Sequence, residues 1–184
     1  MVVLSLLVPI LVSAVIVFIA SSIIHMATPL HKNDMKRVPN EDGVMGALRP
    51  FNLAPGDYAM PLAASMAAMG TPEFQAKMNA GPVVVMTVRP SGPFSMTKNL
   101  VQWFIYSIVI SMIAGYVAGV ALAPGADYLK VFQIAGCVAF TGYAMGLPQT
   151  SIWGGKNWGT TLRGMFDGLL YGLLTGGTFG WLWP

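Results

Sequence analysis

Two stretches of this chain, Val2 to Ile24 and Asn99 to Ala126, carry no charged residue over more than twenty positions. Few environments other than hydrocarbon accept such runs. At a rise of 1.5 Å per residue, a helix over either one crosses a nonpolar layer of about 30 Å. Composition extends the argument to the whole chain: 55% of the 184 residues are hydrophobic and only 9% are charged, against about 25% charged in soluble domains. The first run is expected to be a retained anchor. No Lys or Arg precedes it, and it exceeds the roughly 7–15-residue core of a cleaved signal peptide.

The sequence therefore predicts an all-α integral membrane protein with four transmembrane helices. The first covers 1–24. A long Pro/Met-rich cytoplasmic or interfacial arm with short helices follows over 25–98, and a three-helix transmembrane bundle occupies 99–184, with spans at about 99–122, 128–149 and 164–183. Trp103, Trp153, Trp158, Trp181 and Trp183 fall near the ends of these spans, where indole rings anchor at the headgroup level. Nine of the ten Lys and Arg residues lie in 25–98 and 150–163, and only Lys130 lies on the other side. By the positive-inside rule, these loops are cytoplasmic and both termini are not. That distribution explains the net charge of +3 by membrane orientation, with no nucleic acid as partner.

The arm holds nine of the thirteen prolines and nine of the thirteen methionines. Its signals predict a helix over Glu41–Arg49 after an Asn40 cap, and a second after Thr71-Pro72-Glu73, closed by Gly81-Pro82. A short interfacial helix is expected over Ala63–Gly70. Val83–Val88 reads as a strand with no visible partner in the chain. The segment is too apolar for a disordered linker and too broken by proline for an ordinary domain, so it is expected to lie along a partner or a lipid surface.

Small residues are ordered in two of the spans. Gly164, Gly168, Gly172, Gly176 and Gly180 repeat every four positions, and Ser107, Ser111, Gly115 and Gly119 do the same in the second span. Such stripes let helix backbones approach closely. The two are natural partners for each other, and contact with another subunit or a cofactor is the alternative. Cys137, the one cysteine, is expected to be a buried structural thiol.

Few residues suggest chemistry. His25 and His31 follow the first span and could ligate metal or haem, but the six-residue separation through Thr28-Pro29 gives them no common helical face. Asp167 is the one acidic residue inside a predicted span and is a candidate ion or proton group. Placed in the first helical turn, it would pair with Arg163 at the i, i+4 spacing. Gly154-Gly155-Lys156 lacks the phosphate-loop pattern, and neither a nucleophile elbow nor a zincin pair is present. No catalytic residue is assigned, and no cofactor is required beyond lipid contacts.

The run Ser151-Ile152-Trp153 through Asp167-Gly168-Leu169-Leu170-Tyr171 to Gly180-Trp181-Leu182-Trp183-Pro184, with Leu30-His31-Lys32-Asn33-Asp34, resembles small bacterial polytopic membrane proteins to which no activity is attached. The resemblance implies a bacterial inner membrane. The functional expectation is an accessory or assembly subunit of a larger membrane complex, respiratory or otherwise energy-transducing, bound to other membrane subunits and without catalysis of its own. A small homo-oligomeric channel or transporter is the first alternative, and a haem- or copper-binding membrane protein using His25 and His31 is the second.

Overall fold

The computed structural model describes residues 3–184. Seven α-helices form: α1 (Leu7–Ala27), α2 (Glu41–Leu48), α3 (Pro72–Ala80), α4 (Thr97–Ala121), α5 (Tyr128–Ala144), α6 (Pro148–Ile152) and α7 (Trp158–Trp181). Two short strands, β1 (Gly56–Met60) and β2 (Val84–Val88), interrupt the otherwise helical chain. The residues divide into two compact units, 1–36 with 95–184, and 37–94.

In the first unit, α1 packs on α4 and α7, α5 packs on α4 and α7, and the four helices close into a ring. Three segments are long and apolar enough to cross a membrane: Leu7–Ala27, Thr97–Ala121 and Tyr128–Ile152. The fourth helix, α7, has the length, at 24 residues, but is not among them, because Arg163, Asp167, its glycines and its threonines lower its mean hydropathy. The interior mixes a few large apolar side chains, among them Ile10, Val17, Val131 and Phe179, with many small and polar ones: Ser13, Ala14, Ser107, Ser111, Ala114, Ala118, Ala135, Ala139 and Thr175 are all fully buried. Large apolar side chains such as Leu11, Val15, Ile105, Val109, Leu169 and Leu173 face outward. That inversion suits hydrocarbon, where tight packing and internal hydrogen bonds hold helices together.

The α7 glycine stripe lies within the chain, but its neighbour is α5 and not the expected α4 stripe. A Cβ built on Gly168 would stand 2.7 Å from Ala144 Cβ, one on Gly176 2.6 Å from the Phe132 carbonyl oxygen, and one on Gly180 2.7 Å from the Tyr128 ring. Gly172 opposes Phe140 and Gly136, and Gly164 opposes Leu147. The two helices thus touch along their antiparallel length because α5 brings its own Gly136 to the seam.

The Ser107–Gly119 stripe of α4 serves a different contact. Ser13 of α1 donates to Ser111 Oγ at 3.0 Å, and the space at Gly115 is filled by Phe179 and Ile10. Cys137 is exposed, not buried, because the face of α5 that meets its neighbours is the one carrying Val131, Ala135 and Ala139. Pro148 opens the short helix α6 where it was expected only to end a span.

In the unit 37–94, β1 and β2 pair antiparallel from Gly56 opposite Val88 to Met60 opposite Val84, and Thr87 Oγ1 donates to Asp57 Oδ1 at 2.6 Å across the pair. This corrects the expectation of an unpartnered strand. β1, Gly-Asp-Tyr-Ala-Met, lacks the β-branched signal of Val84–Val88, and α3 separates the two. Thr71 caps α3 as expected, accepting from Phe74 N. Asn40 precedes α2 in a left-handed conformation at φ 50° without a side-chain cap bond. The expected helix over Ala63–Gly70 is reduced to a 3-10 turn at Ala67–Gly70.

Candidate functional site

Asp34, Arg163 and Asp167 of the first unit meet His25 and His31 at the end of α1. The helix ends at Ala27, where Thr28 turns extended at φ −108°, ψ 154°. Its Oγ1 donates back to the Ile24 carbonyl at 2.6 Å. A hydrogen-bonded turn follows, with Lys32 N donating to Pro29 O, and it folds His31 back over the helix end. The His25 and His31 rings stack at 4.3 Å between centroids and 4° between planes. They share no common helical face, as the separation through Thr28-Pro29 predicts, but convergence does not need one. Because Thr28-Pro29 stops the helix, the chain reverses, and the structure brings the two together.

Asp167 completes the cluster and corrects a second expectation. Asn157 caps α7 by accepting from Gly159 N, so the helix starts six residues before Gly164. Asp167 therefore sits about two and a half turns inside it and not in its first turn. Its side chain is only 5% exposed, and its Oδ2 lies 2.8 Å from His31 Nε2 and 3.9 Å from His25 Nε2. Arg163 does not pair with Asp167: its Nε donates to Asp34 Oδ1 at 2.7 Å, and its Nη2 reaches the same oxygen.

Asp34, which sequence reasoning left without a role, ties the arrangement together by accepting from His31 Nδ1 at 2.7 Å. Burial alone would raise its pKa, but the hydrogen bonds from His31 and Arg163, and their charges, outweigh that and hold the carboxyl below its usual range. Asp34 is thus an anionic acceptor at neutral pH. The i, i+3 spacing of His31 and Asp34 was the available signal, since one turn places such a pair side by side.

The His31–Asp167 contact has ion-pair distance, and among the described residues neither His31 Nε2 nor Asp167 Oδ1 has a hydrogen-bond partner. His25 Nδ1 lies 3.0 Å from the Ser21 carbonyl oxygen. A carbonyl oxygen can only accept, so that nitrogen carries a hydrogen.

A cavity of about 450 Å³ adjoins the cluster, lined by Ser21, His25, Asn99, Trp103, Asp167 and Tyr171 among others. Trp103, expected as an interfacial anchor, turns inward. Its indole N–H donates to Ser21 Oγ at 2.8 Å, and its ring stands 5.9 Å from both Tyr143 and Tyr171. The hydroxyls of buried Tyr171 and Thr175 make no hydrogen bond among the described residues. Trp153, Trp158 and Trp181 are exposed, while Trp183 donates to the Ala123 carbonyl at 3.0 Å.

No protein-family model, curated protein or solved structure matches this chain.

Proposed function

We propose that this chain is a four-span subunit of a larger membrane complex, an accessory or assembly component with no catalysis of its own. One observation carries the reading. Residues 37–94 form a compact unit in which, among the described residues, none is buried. Phe51, Leu62, Met66, Val85 and Phe94 are each more than two-thirds exposed. A unit of that size without a core buries too little apolar surface to offset its ordering entropy. A partner that covers these side chains supplies the missing burial, and methionine suits such a surface because its flexible thioether adapts to an irregular neighbour.

The four-span reading rests on α7. Leu162, Phe166, Leu169 and Leu173 form an outward apolar face, while Thr161, Asp167, Tyr171 and Thr175 turn inward. Its low mean hydropathy is then a property of its buried side. With four spans, the distribution of Lys and Arg supports both termini on the non-cytoplasmic side and 37–94 in the cytoplasm, and the bacterial inner membrane is what the sequence resemblance implies. A photo-crosslinking residue at Leu62 or Phe94 in native membranes tests the partnership. Adducts to one defined protein at both positions are expected; adducts to lipid alone, or none, would overturn it.

A further inference from the structure

Both histidines at the end of α1 have one nitrogen already committed. His25 Nδ1 donates to the Ser21 carbonyl at 3.0 Å, and His31 Nδ1 to the Asp34 carboxylate at 2.7 Å, so in the neutral rings the Nε2 lone pairs remain. Those two atoms and a carboxylate oxygen of Asp167 all lie within 4.8 Å of one another. Three acceptors cannot face each other at this range in a half-buried setting without something positive among them. Of these groups, His31 Nε2 and Asp167 Oδ1 are buried with no hydrogen-bond partner among the described residues.

We propose that His25, His31 and Asp167 bind one divalent first-row transition ion of the zinc class through His25 Nε2, His31 Nε2 and the Asp167 carboxylate. An ion with bonds of about 2.0–2.1 Å sets neighbouring ligand atoms about 3.3 Å apart in a tetrahedron. The pair now at 2.8 Å opens slightly and the pair at 3.9 Å closes by several tenths of an ångström, and the two rings, now parallel at 4.3 Å, turn out of their stack so that both lone pairs meet the ion. Two imidazoles and one carboxylate suit Zn²⁺, Fe²⁺ or Co²⁺ better than Cu⁺, which favours sulfur.

The surroundings have the form of a metal centre's outer sphere. Ligating histidines ordinarily donate their other N–H to a carboxylate or a backbone carbonyl, which fixes the tautomer and aims the ring. Here one uses each kind of acceptor, and Arg163 anchors the carboxylate. His25 and Asp167 also line the adjoining cavity, which leaves room for a water or small ligand at the remaining position. Two axial haem ligands would have to face each other across the iron, whereas these rings are stacked face to face at 4.3 Å.

The competing occupant is a proton, with His31 as an imidazolium between Asp34 and Asp167. Full-length protein in detergent, stripped with chelator and titrated with Zn²⁺ or Co²⁺, separates the two. The expected result is one ion per chain, visible absorption from bound Co²⁺, and affinity lowered at least tenfold in His31→Ala and Asp167→Asn. Asp34→Asn is expected to keep the stoichiometry while weakening binding about 10–100-fold. His25→Ala keeps the test decisive, because the His25 side chain is 51% exposed and its loss spares the helix packing. Substoichiometric binding by the native chain, or native affinity in His25→Ala with helical content intact, would overturn the metal site and leave the proton. Neither result depends on whether a partner subunit exists.

Discussion

Arg163 is the side chain on which the geometry of the charged cluster most depends. It holds Asp34, Asp34 holds the Nδ1 hydrogen of His31, and His31 is thereby turned toward Asp167. Replacing Arg163 by Met strands a carboxylate that is only 18% exposed. Loss of one partner from a fully buried ion pair costs about 3–5 kcal/mol. Because the Arg163 side chain is 30% exposed, solvent screening reduces the expectation to about 1–2 kcal/mol. Thermal melts in detergent should show a lower Tm for Arg163→Met and no change for Lys156→Met, a replacement at an exposed loop position. Equal melts for the two would mean that the Asp34 pair contributes nothing to folding.

Among the elements, the α5–α7 seam is the tightest contact, and its glycines are not equivalent. A Cβ at Gly176 would stand 2.6 Å from a backbone oxygen of Phe132, whereas one at Gly177 meets only the Tyr128 hydroxyl, at 3.7 Å. Gly176→Ala should cost about 1–3 kcal/mol through overpacking. Gly177→Ala should be neutral or raise stability by up to about 1 kcal/mol through helix propensity. Unfolding of the two variants in detergent distinguishes this ordered seam from a general tolerance of alanine. Between α1 and α4, a double-mutant cycle on Ser13 and Ser111 should give a coupling near 0.6 kcal/mol, as for other hydrogen bonds between membrane helices.

The sequence shows that the glycine stripe is a packing surface, because spacing by four is a local property of one helix. It does not show which helix lies opposite, because that follows from the ring order of α1, α4, α5 and α7. The site follows the same division. His25, His31 and Asp167 stand out as residue types, but their meeting depends on where two helices stop and start. Thr28-Pro29 ends α1 early enough to fold His31 back, and Asn157 starts α7 early enough to bury Asp167. Asp34, a residue in a short turn, has a local partner in His31, but its second partner, Arg163, lies 129 positions away. The β1 strand was missed for a related reason: its sequence is weakly strand-like, and pairing with Val84–Val88 rescues it.

At the scale of the whole molecule, a helical ring with an interior rich in small and polar side chains and an exterior of large apolar ones is joined in sequence to a compact unit without buried residues. The first feature fits a lipid surround, and the second is the surface that the proposed partner would cover. Deleting 37–94 and rejoining the flanking residues with a flexible linker should leave the ring folded, because its core comes from α1, α4, α5 and α7. The same deletion should abolish assembly with the partner. Circular dichroism and melting of the purified deletion, set beside its recovery in native complexes, check both halves of that statement.

The most direct measurement is the native size of the full-length chain in gently solubilised membranes. Co-migration with at least one other membrane protein, in a particle well above the chain's own 19.6 kDa after allowance for detergent, is the predicted result. Migration as a lone 19.6 kDa protomer, with no co-purifying subunit, would contradict the proposal that this protein serves a larger membrane complex.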